Sequence, residues 1–186
     1  MTSLTSTPHD ALQIGQEAVV RRLCRAEDLY VFAHASGNLN PMHLPELDGD
    51  GDGRAEAVAP SAWVAALISG VLGNQLPGPG TLYLSQDLRF LGRAHAGETL
   101  EAGVRVVEKL PDRVVRMAVW VDGPGGRIAE GEARVRAPDA ARRFDGLEVP
   151  GLIVQAHRQF DALLARAEPH FPRFPRWSSV PKAPMR

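Results

Sequence analysis

The sequence predicts an α+β fold in which an antiparallel sheet wraps a buried central helix. Three observations predict it. Residues 60–74 carry apolar side chains on every face of a helix, so that helix belongs in an interior. Four later stretches, 82–90, 98–109, 113–122 and 127–136, alternate with period two and are separated by Gly, Pro and Asp turns. The strands follow the helix in one run and each offers one apolar face, which the helix can cover.

Composition sets the bounds. With 186 residues, of which 44% are hydrophobic, the chain can fill one sizeable core and carry an appendage. We divide it into a flexible N-terminus (1–11), one domain (12–140) and a C-terminal appendage (141–186). The 21 Lys and Arg against 22 Asp and Glu leave a formal charge of -1, which provides no field to attract nucleic acid or an anionic membrane. The single cysteine, Cys24, has no disulfide partner and no second thiolate to share a metal with, so it reads as a buried or half-buried thiol. Met1 to Asp10 is rich in Ser and Thr without an apolar run, and no later stretch approaches the ~20 apolar residues of a membrane span. A soluble cytoplasmic protein is expected.

In chain order, a strand is expected over 17–23 and a helix over 26–36. Glu27 and Asp28 supply negative charge at that helix start, Leu29, Phe32, Ala33 and Ser36 share its spacing, and Gly37 can adopt the positive φ that ends it. Pro41 disfavours helical backbone at Asn40, so the chain should turn there and deliver His43 to a fixed place. The run Asp48-Gly49-Asp50-Gly51-Asp52-Gly53 begins like a calcium loop, but the twelfth position, which needs a bidentate Glu, is Ala59. It reads as a solvated loop.

The central helix begins at Pro60-Ser61 and spans about 22 Å at ~1.5 Å per residue. Its small residues, Ala62, Ala65, Ala66, Ser69 and Gly70, should let a sheet approach closely. Leu82, Leu84, Leu88 and Phe90 then share one strand face, and Leu100, Ala102, Val104 and Val106 another. Val115, Met117, Val119 and Val121 follow, then Ile128, Ala129, Ala133 and Val135, with Asp122-Gly123-Pro124-Gly125-Gly126 as a hairpin connection. Residues 151–168 have amphipathic helical spacing, and five prolines in 169–186 indicate an extended or disordered tail.

Three pieces of the chain carry a resemblance. They are Ser36-Gly37-Asn38-Leu39-Asn40-Pro41-Met42-His43, the helix Trp63-Val64-Ala65-Ala66-Leu67-Ile68-Ser69, and the run from Leu76-Pro77-Gly78 through Asp87-Leu88-Arg89-Phe90. In this order they resemble the MaoC-like, (R)-specific enoyl-CoA hydratases of the hotdog fold, over roughly residues 12–140. The hydratase domain at the N-terminus of bifunctional enoyl-CoA hydratase/phosphate acetyltransferases is the most similar. The appendage resembles the connector that leads into the transferase domain of those relatives, so phosphotransacylase activity is expected to be absent.

The resemblance implies reversible addition of water to a trans-2-enoyl-CoA, with no cofactor beyond the CoA of the substrate, and a homodimer; no spacing among the histidines suggests a metal site. His43 stands at the family's acid/base position. Asn38 stands where the family has Asp, and a carboxamide cannot be a general base although it can orient a water. Ser61 replaces the Gly whose amide faces the thioester oxygen, and Asn40, Trp63 and Ser69 fall at substrate-binding positions. Each also has a plainer reading: His43 as a turn histidine bonded to backbone, Asn38 as a turn cap, Ser69 as a packed hydroxyl. His34, one helical turn before Asn38, is a substitute base to be considered, and His95 reads as a loop residue. The alternative function is a non-catalytic acyl-CoA-binding protein with a regulatory or assembly role. Thioester hydrolysis ranks last, because residues 60–74 contain no carboxylate.

Overall fold

The computed structural model describes residues 2–147 apart from 46, 50, 52 and 54–56. In chain order the elements are β1 (Thr2–Thr5), β2 (Glu17–Leu23), α1 (Ala26–Ser36), α2 (Ser61–Asn74), β3 (Leu82–Phe90), β4 (Thr99–Lys109), β5 (Val114–Gly123), β6 (Gly126–Arg136) and β7 (Arg143–Leu147). Short 3₁₀ turns stand at His9–Ala11 and Pro41–His43. The expected helix at 151–168 and the proline-rich segment after it lie outside the described residues.

One antiparallel sheet runs in the order β2-β4-β5-β6-β3. Its central strands keep the alternation read from sequence: Leu100, Ala102, Val104 and Val106 of β4 and Val115, Met117, Val119 and Val121 of β5 are all buried. Against them α2 sets Trp63, Val64, Ile68, Val71 and Leu72. Each Val, Leu, Ile or Met side chain so buried stabilises the fold by about 1.5–3 kcal/mol. The β5–β6 hairpin closes as expected, with Gly123 opposite Gly126 around Pro124-Gly125. This is the hotdog arrangement, a sheet around one helix.

Two expectations are corrected by the structure. The small residues of α2 do not face the sheet: Ala62, Ala66, Ser69 and Gly70 are exposed, because the larger side chains 63, 64, 68, 71 and 72 occupy the sheet side. Among the described residues the helix is therefore buried on one face and bare on the other. Likewise Leu82, Leu84 and Phe90 are 57, 45 and 43% exposed, and Leu88 is only partly buried. Strand β3 is a sheet edge, paired on one side only with β6, and nothing in the described residues covers its apolar side chains.

A second, two-stranded sheet pairs β1 with β7. It places residues 2–5, part of the segment read as flexible, beside residues 143–147 of the appendage. Ser6, 2% exposed, ties the two ends, its hydroxyl accepting from the Arg142 N–H at 2.8 Å. Cys24 is fully buried. Burial first, then the negative charges of Asp28 and Glu98, push its thiol up to about 11, so it stays protonated at neutral pH and is a poor nucleophile. Among the described residues no helix is long and apolar enough to cross a membrane, and no three metal-ligating side chains cluster.

Candidate active site

The site is built from the end of α1 outward. Gly37 takes φ 72° and closes the helix with its N–H on the Ala33 carbonyl at 2.8 Å, a left-handed cap that suits glycine. From there a ladder of side chains pins successive backbone amides. The Ser36 hydroxyl donates back to the Phe32 carbonyl (2.6 Å) and accepts from the Asn38 N–H (3.2 Å). The Asn38 carboxamide oxygen accepts from the Asn40 N–H (3.2 Å), and that of Asn40 from the Met42 N–H (3.4 Å). Pro41 opens the short 3₁₀ turn, whose bond from the His43 N–H to the Asn40 carbonyl is 2.9 Å. The whole stretch is thereby held without any sheet.

His43 ends this ladder, and its ring is oriented by backbone. Nδ1 lies 2.7 Å from the Val58 carbonyl oxygen. A carbonyl only accepts, so Nδ1 carries the hydrogen and the neutral ring presents its lone pair at Nε2. Val58, 8% exposed, is itself fixed by its N–H on the Met42 carbonyl at 2.9 Å. The plainer reading of His43, a turn histidine bonded to backbone, is thus the geometry observed, and it leaves the acceptor lone pair of the neutral ring at the other nitrogen.

Asn38 is half-buried, and its backbone is not left-handed; Gly37 takes that conformation. Its carboxamide oxygen already serves the Asn40 amide, so the group it can turn outward is the NH₂, a donor. An aspartate there would present a second oxygen instead. Asn40 is exposed, and the plainer reading of Asn38 as a turn cap describes what its oxygen does.

Three residues after Val58 the chain reaches Ser61, at most about 11 Å away by backbone reach. The first bond of α2 runs from the Val64 N–H to the Pro60 carbonyl at 3.0 Å, so the Ser61, Ala62 and Trp63 amides precede the helical ladder and form its positive end. Ser69 lies on the exposed face of α2, not in the core. Trp63 is 7% exposed and belongs to the core cluster, behind the helix start. The structure thus joins Asn38, Asn40 and His43 in one turn, sets Ser61 three residues after the Val58 that holds the His43 ring, and sets Ser69 on the exposed helix face. His34 is exposed on α1.

The acidic glycine loop returns to this turn. A Cβ at Gly49 would run into the backbone of Pro41 and Met42, so only glycine fits against the segment carrying His43. Asp48 accepts from the Gly51 and Gly53 amides at 2.8 and 2.9 Å, which agrees with a self-capped loop. Val58 was invisible to sequence reasoning, because its contribution is a carbonyl that every residue has. An open concavity on the other side of the sheet centres on Trp120, with the Arg105 and Arg127 guanidinium groups 5.6 and 5.9 Å from its ring. Arg105 pairs with Glu17 and Arg127 with Asp122 and Glu130, which leaves that face a neutralised surface.

No family model matches the chain. Among curated proteins it is 34% identical over 128 residues to a 3-hydroxybutyryl-CoA dehydratase of Methylorubrum extorquens, covering 68% of this chain and 82% of the relative. It is also 34% identical over 125 residues to an (R)-specific enoyl-CoA hydratase of Rhodospirillum rubrum, covering 67% and 87%. Among solved structures it superposes on the unliganded R-hydratase PhaJ1 of Pseudomonas aeruginosa with TM-score 0.77 and 34% identity, across 83% of this chain and all of that one.

Proposed function

Because the chain belongs to the MaoC-like, (R)-specific enoyl-CoA hydratase family, we propose that it adds water reversibly to trans-2-enoyl-CoA thioesters, giving (R)-3-hydroxyacyl-CoA. The observation that carries this is the Nδ1 hydrogen bond of His43 to the Val58 carbonyl, which leaves Nε2 free to take a proton. In the hydration direction the Asn38 NH₂ donates to a water oxygen and turns an O–H toward that nitrogen. His43 takes the proton as the oxygen bonds to Cβ. The C=C electron pair moves toward the thioester, whose oxygen gains charge facing the Ser61 amide at the positive end of α2. The His43 imidazolium then protonates Cα, so water is divided between the two carbons and the ring returns neutral.

Acid, base and oxyanion donor all come from the chain, and the reaction so written needs no group beyond the CoA of its substrate. Asn40 contacts the substrate through its exposed carboxamide, Ser69 lines the acyl groove along α2, and Trp63 backs that groove. The site works in the cytoplasm, as a homodimer. A second copy would cover the β3 side chains Leu82, Leu84 and Phe90, which among the described residues form an uncovered apolar edge of the kind natural sheets avoid. Sedimentation velocity at micromolar protein is expected to show a dimer; a monomer rules this assembly out.

The carboxamide at position 38 favours one competing reading, an acyl-CoA-binding protein without turnover. Crotonyl-CoA hydration, measured beside binding of saturated butyryl-CoA, separates them. Turnover of the first supports the hydratase. Binding of the second with no turnover supports the carrier.

A further inference from the structure

We propose that Glu98 is a positioning residue for His43, acting through the bridge segment 94–96 and the Val58 carbonyl. The proposal rests on the hydratase reading for its kinetic consequence, but its structural content is independent of turnover.

Val58 is paired not with a regular strand but with one short piece of chain. It forms an isolated antiparallel bridge with His95, in which the Ala59 N–H donates to the Ala94 carbonyl (2.7 Å) and the Ala96 N–H to the Ala57 carbonyl (3.0 Å). Two bonds are few for a segment that must aim a catalytic ring. The segment on the far side of the bridge is held by Glu98. Its carboxylate accepts from the His95 backbone N–H at 2.8 Å, and a second carboxylate oxygen stands 3.6 Å from His95 Nδ1. The Glu98 N–H returns to the His95 carbonyl at 3.2 Å, closing a turn over 95–98.

That turn is also welded to the strand that leads into α1. The Cys24 N–H donates to the Glu98 carbonyl and the Gly97 N–H to the Cys24 carbonyl, both at 2.8 Å. Two residues after Cys24 the helix begins whose other end carries Asn38. One turn therefore fixes both supports of the site: the start of the helix that delivers Asn38, and the carbonyl that sets the His43 tautomer. Glu98 is the side chain that closes it, and the bond to the His95 amide requires an acceptor at that place, not a charge.

The test reads the ring directly. Long-range ¹H–¹⁵N spectra of ¹⁵N-histidine protein, with His43→Ala to assign the signal, report which His43 nitrogen carries the hydrogen. Wild type is expected to show Nδ1–H. Glu98→Ala is expected to shift His43 toward the Nε2–H form and to lower kcat for crotonyl-CoA roughly tenfold, the scale of a slightly misplaced catalytic group, with KM within twofold. Glu98→Gln, which retains an acceptor oxygen, is expected to restore both the signature and most of kcat. Should Glu98→Ala not fold, Glu98→Asp, one methylene shorter, carries the same expectation as the alanine variant. A His43 signature unchanged in Glu98→Ala, or in Glu98→Asp where that variant replaces it, overturns the proposal, as does a Glu98→Gln protein that behaves like the alanine one. A wild type inert to crotonyl-CoA sinks the hydratase reading instead, and the spectra still decide the role of Glu98.

Discussion

His43→Ala is expected to lower kcat for crotonyl-CoA hydration by roughly three orders of magnitude, within the range a positioned acid/base contributes. The size follows from the absence of a carboxylate at position 38. In the proposed mechanism His43 Nε2 both takes the proton from water and returns one to Cα, so its removal takes away two steps at once. KM should change little, since the ring is held by Val58 and contributes to bringing the thioester in only through the water between them. Steady-state kinetics of the purified variant, beside a melting curve to show that the fold persists, reads this. A variant retaining more than a tenth of wild-type kcat would place the base elsewhere, with His34 on α1 the first residue to replace.

Asn38→Asp is expected to raise kcat by about 10–100-fold, because the change converts an outward donor into a second base. The carboxylate and the carboxamide have nearly the same shape, and either can accept the Asn40 amide that organises the turn. The ladder from Ser36 to Met42 should survive, with a melting temperature close to that of wild type. What changes is the atom facing the water: NH₂ in the natural chain, an oxygen carrying negative charge in the variant. A variant with unchanged or lower kcat would mean that the site has been rebuilt around a donor at position 38.

Much of the fold was legible because the relevant signals are local. Helix α1 and its stop at Gly37 were readable from spacing and one glycine, and β4 and β5 from alternation that is buried on one side throughout. The errors have a common cause. The apolar residues of β3 and the small residues of α2 were read as facing this chain's own core, whereas among the described residues nothing covers either. Period and hydrophobicity say that a face is to be buried, not what buries it. Strand β1 escaped notice since four residues, Thr-Ser-Leu-Thr, carry too short a pattern, and its partner β7 is more than a hundred residues away.

The site divided along a similar line. Asn38, Asn40 and His43 were marked as candidates from a compact motif whose turn residues have strong individual preferences. The structure adds that Asn38 and Asn40 act as rungs of a hydrogen-bonded ladder. Val58 and the Glu98 turn were not legible, because one acts by a backbone carbonyl and the other by closing a turn on its neighbour's amide. Ser61 was marked by its place at a helix start, and the ladder beginning at Val64 leaves its amide at the open, positive end of α2.

The most direct measurement is chiral analysis of the product formed when wild-type protein is incubated with crotonyl-CoA. The expected product is (R)-3-hydroxybutyryl-CoA, formed at a rate that scales with enzyme and falls with His43→Ala. Formation of the (S) product, or no hydration by a protein that still binds butyryl-CoA, would contradict an (R)-specific hydratase built on His43 and Asn38.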